Sequence, residues 1–499
     1  MKNTYYEYKK FLKTANFDEK KEEGRKCKIG ILITPWLNTP VPWYGITIGL
    51  LLMNKGYSEI TFIISDIWNR KLSYYNDQKK QLKKIIKVLK CRYLKKMQID
   101  VLNLSQVKEA QIDAEDKAII SYYAKLNTIK YIGNSVSDKK HEYIYNEWET
   151  VYYNMCGKIK GCAELEWDRL IIPGGMFQET GLFLEIFKNK KTDVITYDSG
   201  AGRYKVGIGV CAAQNGNVSS TANYILANEK NINKIADEAR NILLNRMQMR
   251  PELSVVGKGK VIQNVAYQDE YEDGKYQVVI FTNLEFDTAA LGTHDVFEND
   301  YVWIEKTVRF ILENTKANIA IRQHPLQRQF EHIITNEENI KNLFKGNDRV
   351  TFIDYKAKIN SYNLVNNAKV VIVNTSTIGL EAGMLGKPVI TESHCYYKDA
   401  GFVKYSDTEE GYYNSIKMSL TEEKGANEKE QLEAAVYYYL TQKCSSILTD
   451  FTPQPMDFEL WSKKSFEELC GDRTISYMLN AIIDLQPIDQ QMYNTIWNN

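Results

Sequence analysis

Short runs of consecutive apolar residues alternate along this chain with stretches in which apolar positions recur every three or four. CKIGILIT, Cys27 to Thr34, reads as a buried strand, and PWYGITIGLLLMNKG after it as a helix closed by Gly56. SEITFIISD (Ser58 to Asp66) is the next strand. WDRLIIPGG (Trp167 to Gly175), the helical TGLFLEIFKNK and TDVITYDSG (Thr192 to Gly200) extend the series. Continuous apolar runs broken by helical patterns indicate βαβ units around a parallel sheet covered on both faces.

The second half repeats the alternation more clearly. YQVVIFTN (Tyr276 to Asn283), ANIAIRQHP, RVTFID (Arg349 to Asp354), KVVIVNTST and KPVITE read as strands. Helices over Trp303 to Leu312, NEENIKNLFKG, INSYNLVNNA (Ile359 to Ala368) and IGLEAGMLG lie between them. A helix over 230–247 and a polar stretch over 250–275 connect the halves. The expected fold is α/β, with two Rossmann-like, doubly wound domains facing a cleft, 27–265 and 275–450. An extension (1–26) precedes them. A tail (451–499), with a short helix from Thr474 to Leu485, crosses back over the first domain.

Composition narrows the function. A length of 499 residues exceeds one ordinary domain, and 44% hydrophobic residues suffice for packed cores. The net charge of +1 gives no general attraction to nucleic acid. The first 26 residues have no apolar core, so neither a signal peptide nor a span is expected there, and ITIGLLLM (Ile46 to Met53) is too short for a bilayer. Eight cysteines without a CxxC, the nearest pair being Cys156 and Cys162, point to free thiols in a reducing compartment, with no zinc site. A cytoplasmic protein is expected. Residues 79–96, KKQLKKIIKVLKCRYLKK, carry nine basic side chains and no acidic one. Leu82, Ile85, Ile86, Leu89 and Tyr93 fall at helical spacing, a pattern suited to an anionic membrane surface or to a solvated helix packing one face on its own domain.

In open α/β sheets ligands bind beyond the carboxyl ends of the strands. His324-Pro325, Asn374-Thr375-Ser376-Thr377, Asn283 and Asp198 all follow predicted strands directly. Three hydroxyl side chains opening a helix near Ile378 form a phosphate cradle without a P-loop, with ordinary N-capping as the alternative. Glu381, one turn on, can accept ribose hydroxyls. His324, with Arg322 nearby, can donate to a phosphate oxygen or protonate a leaving group if its pKa suits, and Pro325 aims it out of the sheet.

IRQHP followed by VVIVNTSTIGLEAGMLGKPVI resembles the C-terminal half of capsule polysaccharide biosynthesis glycosyltransferases, GT-B proteins related to bacterial Kdo transferases. VVIFTNLEFDTAALG and VWIEKTV resemble the opening of that domain. The resemblance covers roughly 276–395. It implies that His324 with Pro325, and Ser376 with Thr377, hold the cytidine monophosphate of a CMP-sugar, with Glu381 on the ribose. Teichoic-acid-type glycerophosphotransferases share an R-x-H-P segment and also release CMP, but usually carry Asp-Tyr-Ser-Ser where this chain has Asn374 to Thr377. UDP-sugar transferases and epimerases share the fold.

The expected reaction transfers a sugar of Kdo or nonulosonate type from a CMP-linked donor to a glycan or glycolipid. No metal or other cofactor is required, because Arg322, His324 and the helix start offset the phosphate charge. Asp198 is the candidate base, with Asp287 as alternative. In WLNTPVPWYG, Asn38, Trp43 and Tyr44 are placed to meet the acceptor sugar, and Gly45 gives close access. His294 and His394 read as surface or structural. A glycan-binding scaffold on a degenerate transferase fold is the non-enzymatic alternative.

Overall fold

In the computed structural model, residues 4–15, 26–36, 41–68, 71–72, 75–94, 99–199, 205–228, 232–248, 273–331, 333, 335–422, 425–448 and 465–497 are described. The first domain runs α1 (Thr4–Lys13), β1 (Ile29–Ile33), α2 (Val41–Asn54), β2 (Ile60–Ile64), α3 (Tyr75–Leu89) and β3 (Asp100–Asn103). It continues with α4 (Ala114–Ile132), α5 (Lys139–Ala163), β4 (Arg169–Pro173), α6 (Glu179–Phe187), β5 (Asp193–Ser199) and β6 (Lys205–Gly209). The strands order as β3-β2-β1-β4-β5-β6. They are parallel except β6, which runs antiparallel to β5. The apolar runs make central strands because every side chain of β1 is buried. A Cβ at Gly49 would lie 2.5 Å from the Phe62 ring, so glycine brings α2 close onto the sheet.

The helical hairpin α4–α5 has no counterpart in the expected elements. Its start is fixed by a capping box, Asp113 with Asp116. Gly133, with φ of 101°, ends α4 in the left-handed conformation.

The second domain contains α7 (Val218–Asn228), α8 (Ile232–Gln248), β7 (Val278–Phe281), α9 (Asp300–Asn314), β8 (Ile319–Arg322), α10 (Asn336–Leu343) and β9 (Val350–Ile353). After these come α11 (Ser361–Asn367), β10 (Val370–Val373), α12 (Ile378–Met384), β11 (Val389–Thr391), β12 (Val403–Tyr405), α13 (Glu409–Thr421) and α14 (Glu428–Tyr439). Its all-parallel sheet is ordered β12-β11-β10-β7-β8-β9. Strand order reverses between β7 and β10, where a doubly wound sheet opens its crevice. Packing moves the division between domains. Ile225 of α7 and Ile235, Ala239 and Leu243 of α8 are buried in the second core with Ala434 and Val436, well before the expected boundary at 265.

The tail does cross back. β13 (Ile447–Leu448) pairs antiparallel with β6. α15 (Phe466–Gly471) and α16 (Arg473–Ile483) bury Phe466, Leu469, Ile475 and Met478 in the first core. α17 (Ile488–Trp497) returns to the second, burying Tyr493 and donating from Trp497 Nε1 to Tyr439 Oη at 2.9 Å. The domains also meet directly: Lys125 pairs with Glu298 at 2.6 Å, and Gln214 Nε2 donates to Leu291 O at 3.3 Å. The architecture is thus the expected one of two doubly wound α/β domains. Among the described residues no helix is long and apolar enough to cross a membrane.

Candidate nucleotide pocket and interdomain cleft

A cavity of about 110 Å³ opens at the carboxyl ends of β7, β8 and β10. Its lining includes Arg246, Arg322, His324, Pro325, Ser376, Thr377 and Glu381, so the structure brings together most of the expected nucleotide residues. Buried apolar strands place them: each chain leaves its strand and turns directly over the sheet edge.

His324 ends β8, and Pro325 opens a short 3-10 turn through Phe330. The imidazole Nδ1 accepts from Leu326 N at 3.2 Å, which leaves the proton on Nε2. Burial pushes its pKa down to about 4; Asp287 opposes the shift, and Arg322 and Arg246 reinforce it. His324 is therefore a neutral N–H donor. The expected alternative use, protonation of a leaving group, would draw on the charge of a bound phosphate to raise the imidazole. Arg322 is buried and donates to the carbonyls of Asp354 and Ile359, so part of its donor set holds the loop after β9.

Thr377 stands at the start of α12, and its side chain makes no capping hydrogen bond. Ordinary N-capping therefore does not account for this hydroxyl. The helix has only seven residues, so the side chains at this edge matter more than its dipole. Tyr397 Oη holds the Ser376 carbonyl at 2.7 Å. Glu381 is 2% exposed, and its Oε1 accepts no hydrogen bond, although Arg246 Nε stands 3.4 Å away. Burial raises the carboxyl above its usual range, with Arg246 and hydrogen bonds from Tyr362 and Tyr438 opposing, so the unpartnered oxygen is Oε1 alone. A buried, under-satisfied acceptor on a cavity wall suits a ligand hydroxyl.

Asn283 and Asn374 lie at the same edge but outside the cavity wall. Asn283 Nδ2 donates to Thr375 Oγ1 at 2.9 Å, linking β7 to β10 across the switch point. The Asn374 side chain turns into the domain, donating to Asp300 and accepting from Thr293 at 2.8 Å. Behind it lies a network that sequence reasoning missed. His294, expected as surface or structural, is buried between Glu392 at 2.6 Å and Asp300 at 2.9 Å. Burial works against its charge, but the bonds to Asp300 and Glu392 prevail and raise it to about 10. Glu285 beside it is raised to about 8 by burial and by Asp300, and accepts from Asn336, which also receives Ser135 N of the first domain.

Across the cleft, Asp198 sits near the end of β5, its carboxylate 3.7 Å from where a Cβ would stand on Gly174. Asp287 is exposed on the turn after β7. Lys130, near the end of α4, joins the two candidates: burial lowers its pKa, while the fields of Asp287 and Asp198 raise it. Its ammonium lies 5.5 Å from the centre of the Phe177 ring. Asp287 also acts on His324, so cleft and pocket are electrostatically continuous. Neither Lys130 nor Arg246 carries a signal in its sequence neighbourhood; only the fold delivers them here.

The acceptor-side expectation needs correction. Trp43 and Tyr44 are fully buried in the first core, against Tyr8 and Tyr197, so they have no face for a sugar. Proline-rich context reads as an exposed loop, but these residues are the first turn of α2 and point into the sheet. Gly45 admits Ile33 and the Tyr197 hydroxyl, 2.9 and 3.0 Å from where its Cβ would be, and serves packing. Asn38 lies outside the described residues.

Residues 249–442 match the family of capsule polysaccharide biosynthesis proteins. No curated protein matches the chain. Among solved structures it is similar to the KpsC beta Kdo 2,7 transferase of Thermosulfurimonas dismutans, with 16% identity and a TM-score of 0.33 over 74% of this chain and 98% of that one. The KpsC beta Kdo 2,4 transferase of the same organism gives 15% and 0.33 over 54% and 79%. The UDP-GlcNAc 2-epimerase of Methanocaldococcus jannaschii gives 11% and 0.26 over 81% and 97%. At these TM-scores the likenesses decide nothing about activity. The sequence match is confined to residues 249–442, which hold the second sheet and its pocket, and it falls on the IRQHP and NTSTIGLEAG segments that carried the resemblance to capsule polysaccharide biosynthesis proteins.

Proposed function

We propose that the protein is a glycosyltransferase of surface-polysaccharide or glycoconjugate biosynthesis. It takes a sugar of Kdo or nonulosonate type from a CMP-activated donor to a glycan or glycolipid acceptor. The observation that carries this reading is the buried, under-satisfied Glu381 carboxylate in the same cavity as the neutral Nε2–H donor of His324. That pairing suits a ribose hydroxyl at one end and a phosphate oxygen at the other. The family match over this domain supports it.

In the proposed reaction the acceptor hydroxyl attacks the anomeric carbon. The bond from that carbon to the phosphate oxygen breaks, and CMP leaves with the electron pair. The acceptor proton passes to a carboxylate, for which Asp198 is the first candidate and Asp287 the second. Arg246, Arg322 and His324 meet the charge developing on the phosphate, and no metal is needed in this scheme.

Calorimetry with CMP and UMP tests the reading. Wild type is expected to bind CMP in preference, and His324→Ala to lose about tenfold in affinity, or ~1.4 kcal/mol. Preference for the uridine nucleotide would move the protein to the UDP-sugar reading. A CDP-alditol donor also releases CMP, and a screen of CMP-sugars against CDP-glycerol separates the two.

A further inference from the structure

Away from the cleft, α1 and the end of α3 enclose a groove of about 730 Å³ whose lining is almost wholly basic and aromatic. Lys9, Lys10 and Lys13 come from α1, and Lys87 and Lys90 from α3 and the turn after it. The groove extends a longer stripe. Lys80, Lys83, Lys87 and Lys90 recur at helical spacing and are all exposed. Ile85, Val88 and Leu89 bury the opposite face. The stripe is thus the outward side of a docked helix. Asp77, in the first turn of α3, pairs with Lys80 at 3.4 Å.

Aromatic rings lie among these cations. Tyr6 is 60% exposed at the rim, and the Lys87 ammonium stands 5.7 Å from the centre of the Tyr5 ring. Lysines with apolar stems and tyrosines with a polar tip suit the headgroup level of a bilayer, where the charge of anionic lipids falls off within a Debye length. α3 is placed usefully for such a surface. Its first turn reaches the carboxyl edge of the first sheet, where Gln78 Nε2 donates to Gln178 Oε1 at 3.2 Å, just before α6. A leaflet lying along α3 would therefore pass beside the cleft entrance.

We propose that the face formed by α1 and α3 docks the protein on an anionic phospholipid surface, with lipid phosphates in the lysine groove. The docking does not depend on the identity of the donor or on the reaction. Flotation of the full chain with phosphatidylcholine vesicles, with and without phosphatidylglycerol, tests it. The protein is expected to float with the anionic vesicles alone, and less as salt is raised. Lys83→Glu/Lys87→Glu/Lys90→Glu is expected to weaken the partition by more than about tenfold. Lys9→Gln/Lys13→Gln, on the other helix, is expected to weaken it in the same sense. CMP binding by both variants should match wild type, which shows that the fold and the pocket are intact. Equal flotation of wild type and both variants, or none with anionic vesicles, overturns the proposal. So does release from the vesicles by millimolar inorganic phosphate, which would mark a small-anion pocket, and so does capture of the protein by RNA in place of vesicles.

Discussion

Arg246 Nε stands 3.4 Å from Oε1 of Glu381, and this pair ties the helix leading into the second domain to the floor of its pocket. The contact compensates a buried carboxylate without consuming its hydrogen-bonding capacity, since Oε1 accepts no hydrogen bond. A buried acceptor with an oxygen left without a hydrogen bond discriminates for ligands that bring hydroxyls. Wild type is therefore expected to bind CMP about tenfold more tightly than its 2′-deoxy analogue. Glu381→Gln, nearly isosteric, should abolish that preference and leave the phosphate contacts in place. Calorimetry on the four combinations checks it; an undiminished preference in the variant removes Glu381 from the ribose.

Trp43 gives the opposite prediction. It is fully buried against Tyr8 in the first core, and its indole N–H has no hydrogen-bond partner. Trp43→Ala should cost about 3–5 kcal/mol in urea unfolding through the cavity it leaves. Trp43→Phe should cost much less, because it also removes a buried, unsatisfied donor. Neither change should alter CMP affinity in the folded protein. A variant that unfolds normally but loses acceptor binding would restore the sugar-stacking role.

The same residue shows where sequence reasoning stops. The strands were legible because a parallel sheet covered on both faces demands unbroken apolar runs such as IGILI and VVIV, which hardly any other element produces. His324, Ser376 and Thr377 were legible because strand ends are where such folds bind ligands. The α4–α5 hairpin was not legible: its buried face mixes Tyr123, Trp148, Tyr152 and Met155 among charges, so no continuous run marks it. The helix over 230–247 was expected only to connect the halves and α7 was not expected at all, whereas both pack on α14 in the second core. Arg246, Lys130 and His294 act through partners far away in sequence, and no local pattern records a partner.

The His294 network carries a pH prediction. Its folded pKa of about 10 lies above the ordinary 6.5, so the stability it supplies is complete below about pH 6.5 and is lost as pH rises through about 10. His294→Ala leaves Glu392 and Asp300 facing each other without a cation and should cost about 3–5 kcal/mol at neutral pH. The gap in melting temperature between wild type and variant should then narrow from pH 7 toward pH 10. A gap that stays constant across this range would mean the imidazole is neutral in the fold and serves only as a spacer.

Lys130 makes the sharpest test of the cleft, because the charges of both candidate bases act on it. A neighbouring cation stabilises the ionised carboxylate, so its removal raises the carboxylate pKa. For the proposed transfer, Lys130→Met should lower kcat and move the acid limb of the pH–rate profile upward. Lys130→Arg should restore most of the profile. CMP affinity should stay near wild type, since Lys130 does not line the nucleotide cavity. A fall in kcat with an unmoved acid limb would assign Lys130 to holding the domains together and leave the base to be sought elsewhere. An unchanged rate would take it out of the cleft chemistry altogether. Asp198→Asn and Asp287→Asn, measured the same way, then identify the base: the acid limb disappears in the variant that has lost it and survives in the other.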